Sequence, residues 1–286
     1  MIGVLGAAGC APAPPEAVLE PRTLTTVPAS AMPPLSLPTA TATSVATSVP
    51  TEMASSTTAP SATAAPIGAM AKPASTKGMA LLPGGAYSTR QTYKAIKLQP
   101  FWVDITEVTV EAYRSCVTAG KCTDEGLGCG DFPTYGVAGK DNYPVNCVDR
   151  GQATAYCASL GKRLPAVEEL EWAARGAARA ASYPWGEDAP VKQPCWRRFG
   201  TGESKGKGPC PVRAFPAGTT AEGIADLSGN VGEWTTGANP GSVEVHGGSW
   251  RDAVPELMEA SCDVLLPAKT HWDTIGFRCV YTAQSP

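Results

Sequence analysis

Histidine is scarce in this 286-residue chain, with only His246 and His271 present. A histidine-rich metal site or a catalytic dyad therefore has little to draw on. His246 beside Gly247 and His271 beside Trp272 read as structural side chains rather than catalytic bases. Charge is sparse as well: 17% of residues are charged, and they sum to a net charge of −3. No basic stripe with interleaved aromatics is available to track a phosphate backbone, which excludes nucleic acid as a partner class. No apolar run reaches the roughly 18 residues that a membrane-spanning helix needs. The cysteines lack the Cys-x-x-Cys pairs of a zinc ribbon.

Alanine, proline, threonine and serine dominate residues 11–78, with almost no large side chain to offset the entropy of ordering. This segment is expected to be a flexible, partly polyproline-like tether. Ahead of it, Ile2, Val4, Leu5, Ala7, Ala8 and Gly9 form a short apolar run that ends at Cys10 and resembles the end of a bacterial lipoprotein signal. No basic segment precedes it, and Ala7 stands where that signal usually has leucine. The alternatives are a lipidated Cys10, with the true start upstream of Met1, and a plain apolar stub at residues 1–10. A Pro- and Thr-rich tether directly after the cysteine favours lipidation, with the protein exported and held at a membrane surface by that anchor. Ten cysteines among 286 residues agree with an oxidising compartment.

The globular part is expected over 79–286. Apolar runs at Leu81–Leu82 and from Ile96 to Ile105 suit strands, so one or two hairpins should open the domain. Thr109 can cap a helix that carries Val110, Tyr113 and Val117 on one face and stops at Gly120. Asp149 with Gln152 makes a capping box for a second helix, with Ala153, Tyr156, Cys157 and Leu160 on one face and Gly161 at its end. A third helix is expected from Ala166 to Arg175, with Glu168 and Glu169 in its first turn. Beyond Tyr183, frequent Gly, Pro and Trp predict short strands and long ordered loops, which need staples such as disulfides or a bound cation.

The domain carries an ordered series of motifs: Phe101-Trp102-Val103-Asp104, Glu107-Val108-Thr109, Pro144-Val145, Ala155-Tyr156-Cys157 and Gly161-Lys162-Arg163-Leu164-Pro165. After these come Glu169-Leu170-Glu171-Trp172-Ala173-Ala174-Arg175-Gly176, Tyr183-Pro184-Trp185-Gly186, Gly229-Asn230-Val231-Gly232-Glu233-Trp234, Gly247-Gly248-Ser249-Trp250 and Gly276-Phe277-Arg278-Cys279. In this order they resemble the formylglycine-generating enzyme (sulfatase-modifying factor) family over residues 79 to 282. The resemblance implies an α+β, loop-rich fold related to that of C-type lectins, with few short helices and disulfide staples. Fold does not fix function, because this fold hosts oxidases, sulfoxide synthases and binding proteins.

In the copper enzymes of that family, two cysteines after the Gly-Gly-Ser-aromatic motif bind copper(I) as thiolates. Counted from Gly247, the resemblance places those positions at Asp252 and Leu257, neither of which can supply a thiolate. Copper is therefore not expected. The iron-dependent sulfoxide synthases draw their histidines from a separate helical domain, which this chain lacks. The run from Asp226 to Glu233 sets two carboxylates seven residues apart around glycines, a pattern that suits calcium. The resemblance assigns the ligands as Asp226, the carbonyls of Gly229 and Val231, and Glu233; the alternative is an Asx-type turn at Asn230.

The resemblance also pairs Cys157 with Cys279. A local staple of Cys195 with Cys210 suits the loop between them, and Cys116, Cys122, Cys129 and Cys147 should form two more bonds of open connectivity. The family partner of Cys262 falls at Ala174, which leaves Cys262 as the odd thiol. Two functions follow. One is a non-catalytic extracytoplasmic module recognising a protein, glycan or small molecule. The other is an enzyme, of formylglycine-generating type or otherwise, using a cleft lined by Trp250, Arg251 and Asp252.

Overall fold

The computed structural model describes residues 75–89, 95–197, 207–237 and 242–282. Cys10, the apolar run and the tether up to residue 74 lie outside the described residues. The domain opens with β1 (Met79–Leu82), β2 (Gly85–Ser88), β3 (Ala95–Leu98) and β4 (Phe101–Asp104). As expected, these pair as hairpins: β1 lies antiparallel to β4 with Leu82 opposite Phe101, and β2 lies antiparallel to β3. Three helices follow, α1 (Val110–Thr118), α2 (Arg150–Ser159) and α3 (Val167–Ala174). The rest is β5 (Gly232–Trp234), β6 (Ser242–His246), β7 (Asp263–Pro267), β8 (Ile275–Gly276) and β9 (Val280–Tyr281) among long loops.

The helix ends follow from local chemistry. Thr109 Oγ1 accepts from the Ala112 amide at 3.2 Å, which satisfies a donor that the first turn of α1 leaves unpaired. Asp149 and Gln152 close the capping box of α2 in both directions, at 2.7 and 2.9 Å. At α3 the cap is reversed: Ala166 has no side-chain acceptor, but Glu169 reaches back to accept from the Ala166 amide at 2.8 Å. Leu160 departs from its expected place on the inner face of α2. It sits at the C-cap and is largely exposed, because the helix stops one residue before it.

Two sheets position the loops. In the larger, the strand order is β7-β6-β5-β8, with β5 and β8 parallel and the other pairs antiparallel. The smaller has the order β1-β4-β9, so the last strand seals the first. One core lies between α1, α2 and the larger sheet, where Tyr113 stacks on Tyr156 at 5.6 Å and meets Phe277 edge-on. A second core gathers Leu82, Phe101, Val103, Leu170, Trp172, Ile224 and Leu227 beneath α3 and the smaller sheet.

Four disulfides staple the described residues: Cys116–Cys122, Cys129–Cys147, Cys157–Cys279 and Cys195–Cys210. The expected pairs Cys157–Cys279 and Cys195–Cys210 are both formed, and the open connectivity resolves into two local bonds. The expectation for Cys262 is corrected: its sulfur is disulfide-bonded, and none of these eight cysteines is its partner. Matching to the family's pairs cannot by itself decide whether a cysteine is bonded. Closing a loop of 122 residues restricts the unfolded chain far more than closing one of six. Replacing Cys157 and Cys279 together by alanine should cost roughly 5 kcal/mol, against about 2 for the Cys116–Cys122 pair. Urea unfolding checks the order; equal losses would refute the entropic ranking.

Candidate functional site

The densest buried chemistry lies where the turn before β5 meets the end of β8. Arg278 is fully buried, and its Nε and one terminal nitrogen donate to the Glu233 carboxylate at 2.7 to 2.9 Å. Its remaining donors reach the carbonyls of Asp104 and Ala225 at 3.1 and 2.9 Å. Glu107, also buried, accepts from Asn230 Nδ2 at 2.8 Å and from the Val231 amide at 3.2 Å. Asp226 accepts from the Arg213 amide at 2.7 Å. Three buried carboxylates thus surround one guanidinium. Burial raises all three affinities for protons, and for Glu107 the charges of Asp226 and Glu233 raise it further, well above the ordinary carboxylate range.

This cluster contains the expected ligand run. Asn230 does not bond its own backbone as an Asx turn would; its side chain bridges Glu107 and the Cys210 amide. The loop is held in an uncommon backbone shape, with Asp226, Gly229 and Asn230 at φ values of 58°, 81° and 55°. A side chain at Gly229 would press on the Cys195 carbonyl. The carbonyls of Gly229 and Val231 accept no hydrogen bond from the described residues. Among the described residues, no three His, Cys, Asp or Glu side chains converge to form a metal cage unaided. The donors here are instead two loop carbonyls and the carboxylates of Asp226 and Glu233, beside the single cation of Arg278. Hard oxygens of this kind suit a hard divalent cation such as calcium. Glu233 would share its carboxylate with Arg278 through its second lone pairs.

The Gly-Gly-Ser-Trp turn packs against this loop. Gly247 and Gly248 adopt positive φ, and a side chain at Gly248 would collide with the Leu257 carbonyl. Trp250 is buried at 2% exposure, donates from Nε1 to the Asp273 carbonyl at 3.0 Å and meets Phe132 edge-on. It is a core side chain, which corrects its expected place on a cleft wall. Arg251 remains half-exposed, stacked on Trp250 and paired with Asp273 at 3.0 Å. Asp252 accepts from both the amide and the hydroxyl of Ser249, at 2.7 and 2.8 Å. Burial pushes its pKa up, opposed by those bonds. It closes its own turn instead of standing free as a base.

Leu257, the other copper position by resemblance, packs with Tyr183, Trp196 and Met258. Every cysteine of the described residues is in a disulfide. A carboxylate, a leucine and no thiolate do not fit copper(I). His246 lies in β6 and is buried, with Nε2 on the Ala260 carbonyl at 3.0 Å and a pKa lowered to about 4 by burial.

A model of the sulfatase-modifying factor enzyme 1-like domain matches residues 66–283. The chain belongs to the sulfatase-modifying factor enzyme 1-like family. It is 36% identical over 167 residues to the inactive C-alpha-formylglycine-generating enzyme 2 of Bos taurus, covering 54% of this chain and 55% of that protein. It is 28% identical over 240 residues to the formylglycine-generating enzyme of Streptomyces coelicolor, covering 64% of this chain and 75% of that protein. The chain spans little more than half the length of the bovine relative. Among solved structures, PvdO from Pseudomonas aeruginosa shares the fold, with a TM-score of 0.58 and 22% identity over 72% of this chain and 94% of that one.

Family membership explains the order of the motifs, and the structure explains why two of them had no role by sequence. Glu107 and Arg278 lie 123 residues and 45 residues from their partners Asn230 and Glu233, so no local pattern could join them. Arg278→Met should therefore cost about 3–5 kcal/mol, since it leaves buried carboxylates without their cation. Chemical denaturation reads this directly, and a loss below about 1 kcal/mol would show that the cluster is not a keystone.

Proposed function

We propose that this chain is a non-catalytic, extracytoplasmic recognition domain of the sulfatase-modifying factor family, braced by a calcium ion. The observation that carries the reading is the donor set after the Gly-Gly-Ser-Trp turn. Asp252 is spent on Ser249 and Leu257 on an apolar cluster, while all described cysteines are oxidised. The similarity to proteins named inactive points the same way. Four disulfides among the described residues support an oxidising compartment. No described helix is long and apolar enough to cross a membrane. What remains at the former reaction centre is a rigid loop surface with Arg251 at its edge, suited to binding a protein, glycan or small molecule rather than to group transfer.

The calcium ion would lie on Asp226, the Gly229 and Val231 carbonyls and Glu233. There it offsets buried carboxylate charge and fixes the loop that supports Trp250, whose amide donates to the Asn230 carbonyl at 2.8 Å. It supplies structure and no chemistry.

Purified protein incubated with copper, reductant and a Cys-x-Pro-x-Arg peptide should yield no aldehyde by mass spectrometry; turnover at enzyme-like rates would overturn the non-catalytic reading. The ion is checked separately. Calcium at a hundredfold excess over its Kd should stabilise the domain by about 2.7 kcal/mol, chelation should reverse this, and Asp226→Ala should abolish the shift. An unchanged melting temperature on chelation, with no calcium found by metal analysis, would remove the ion from the account.

A further inference from the structure

We propose that the Cys116–Cys122 disulfide is an exchange site, at which a small zwitterionic thiol becomes linked to Cys122. Between the segment after α1 and the start of α2 lies a hollow of about 520 Å³, lined by Lys121, Cys122, Glu125, Asp149, Lys269 and His271 among others. Its volume is that of a small-ligand pocket. Lys121 and Glu125 are exposed and make no ion pair among the described residues. Lys269 pairs with Asp149 at 2.9 Å while staying 85% exposed. Two ammonium groups and two carboxylates in one hollow match a ligand that itself carries an ammonium and carboxylates, such as a cysteine-containing tripeptide.

The two sulfurs are presented unequally. Cys116 is buried at 8% exposure within the core, whereas Cys122 is half-buried and faces the hollow. An incoming thiol can therefore reach only Cys122. His271 Nδ1 lies 2.7 Å from the Cys147 carbonyl. A carbonyl only accepts, so Nδ1 carries the hydrogen and Nε2 is left with a lone pair for a thiol proton. In the step, His271 Nε2 takes that proton and the thiolate electron pair bonds to Cys122 Sγ. The Cys116–Cys122 bond breaks with its pair on Cys116 Sγ, which then takes a proton. One disulfide is consumed and one is formed, so no outside oxidant is required.

The released Cys116 thiol has a place for its hydrogen. Ser159 Oγ lies 3.6 Å away and spends its own hydrogen on the Tyr156 carbonyl at 2.8 Å. Nor does the segment depend on the bond. Tyr113 Oη holds the Thr123 carbonyl at 2.9 Å, Gln152 Nε2 holds the Glu125 carbonyl at 2.8 Å, and the Lys121 amide holds the Cys116 carbonyl at 3.1 Å. A six-residue staple on a segment already held by three hydrogen bonds is one the fold can release. By contrast, Cys157–Cys279 and Cys195–Cys210 join residues that are all nearly fully buried, and Cys129–Cys147, whose Cys129 is half-buried like Cys122, closes a longer loop of 18 residues and does not line the hollow.

The full oxidised chain, incubated with reduced glutathione under native conditions and then alkylated, should gain one glutathione by intact mass. Peptide mapping should place it on Cys122, with the alkyl group on Cys116 and the other disulfides intact. Lys121→Glu should slow glutathione addition at least threefold while leaving the rate with neutral 2-mercaptoethanol unchanged. The proposal is overturned if another disulfide opens first, if the adduct lies on Cys116, or if addition occurs only under denaturing conditions. Equal slowing with both thiols would overturn the hollow as the recognising element.

Discussion

The buried guanidinium of Arg278 is the interaction on which the rest depends. A lone cation in a core is costly, and a lone carboxylate equally so. Here each justifies the other: Glu233 on β5 takes two of the arginine's nitrogens, and the carbonyls of Asp104 and Ala225 take what remains. Those partners come from the smaller sheet, from the turn before Asp226, and from the larger sheet. One side chain thereby ties together the two sheets and the loop between them, and the neighbouring Cys279 adds a covalent tie to α2.

The arrangement also constrains the surface. Glu107 orients Asn230 through its side chain and Val231 through its amide, and the Asn230 carbonyl in turn receives the Trp250 amide. Trp250 then holds Asp273, which gathers the amides of Asp131 and Phe132 and the guanidinium of Arg251 on one oxygen. A chain of hydrogen bonds thus runs from the buried carboxylates to a half-exposed arginine. The loops at this end can be long because their anchor points are fixed by charge pairs and not by regular ladders.

Local features were legible in the sequence because their causes are local. Thr109, Asp149 and Gln152 announce helix starts through bonds three residues long, and all three behave as expected. The glycine signatures at Gly229 and Gly247–Gly248 mark positive φ and close backbone approach. Trp250 was misplaced on a cleft wall because burial of a loop tryptophan depends on Phe132 and Asp273, which are remote in sequence. Cys262 was misjudged for a related reason, since pairing is a property of three-dimensional neighbours. The role of Glu107 was invisible: a single glutamate in a strand-to-helix turn has no sequence signature until its partner 123 residues away is known.

The lack of a thiolate pair after the Gly-Gly-Ser-Trp turn and the presence of the charge cluster belong to different physical layers. A thiolate pair needs only two side chains on a turn, so its replacement by a carboxylate bonded to Ser249 and a leucine packed with Trp196 disturbs nothing beneath. The cluster around Arg278 is less tolerant, because removing the guanidinium leaves buried carboxylates without their cation. That asymmetry is why a domain can keep the full order of family motifs while the turn after Gly247 carries a carboxylate bonded to Ser249 and a packed leucine in place of thiolates.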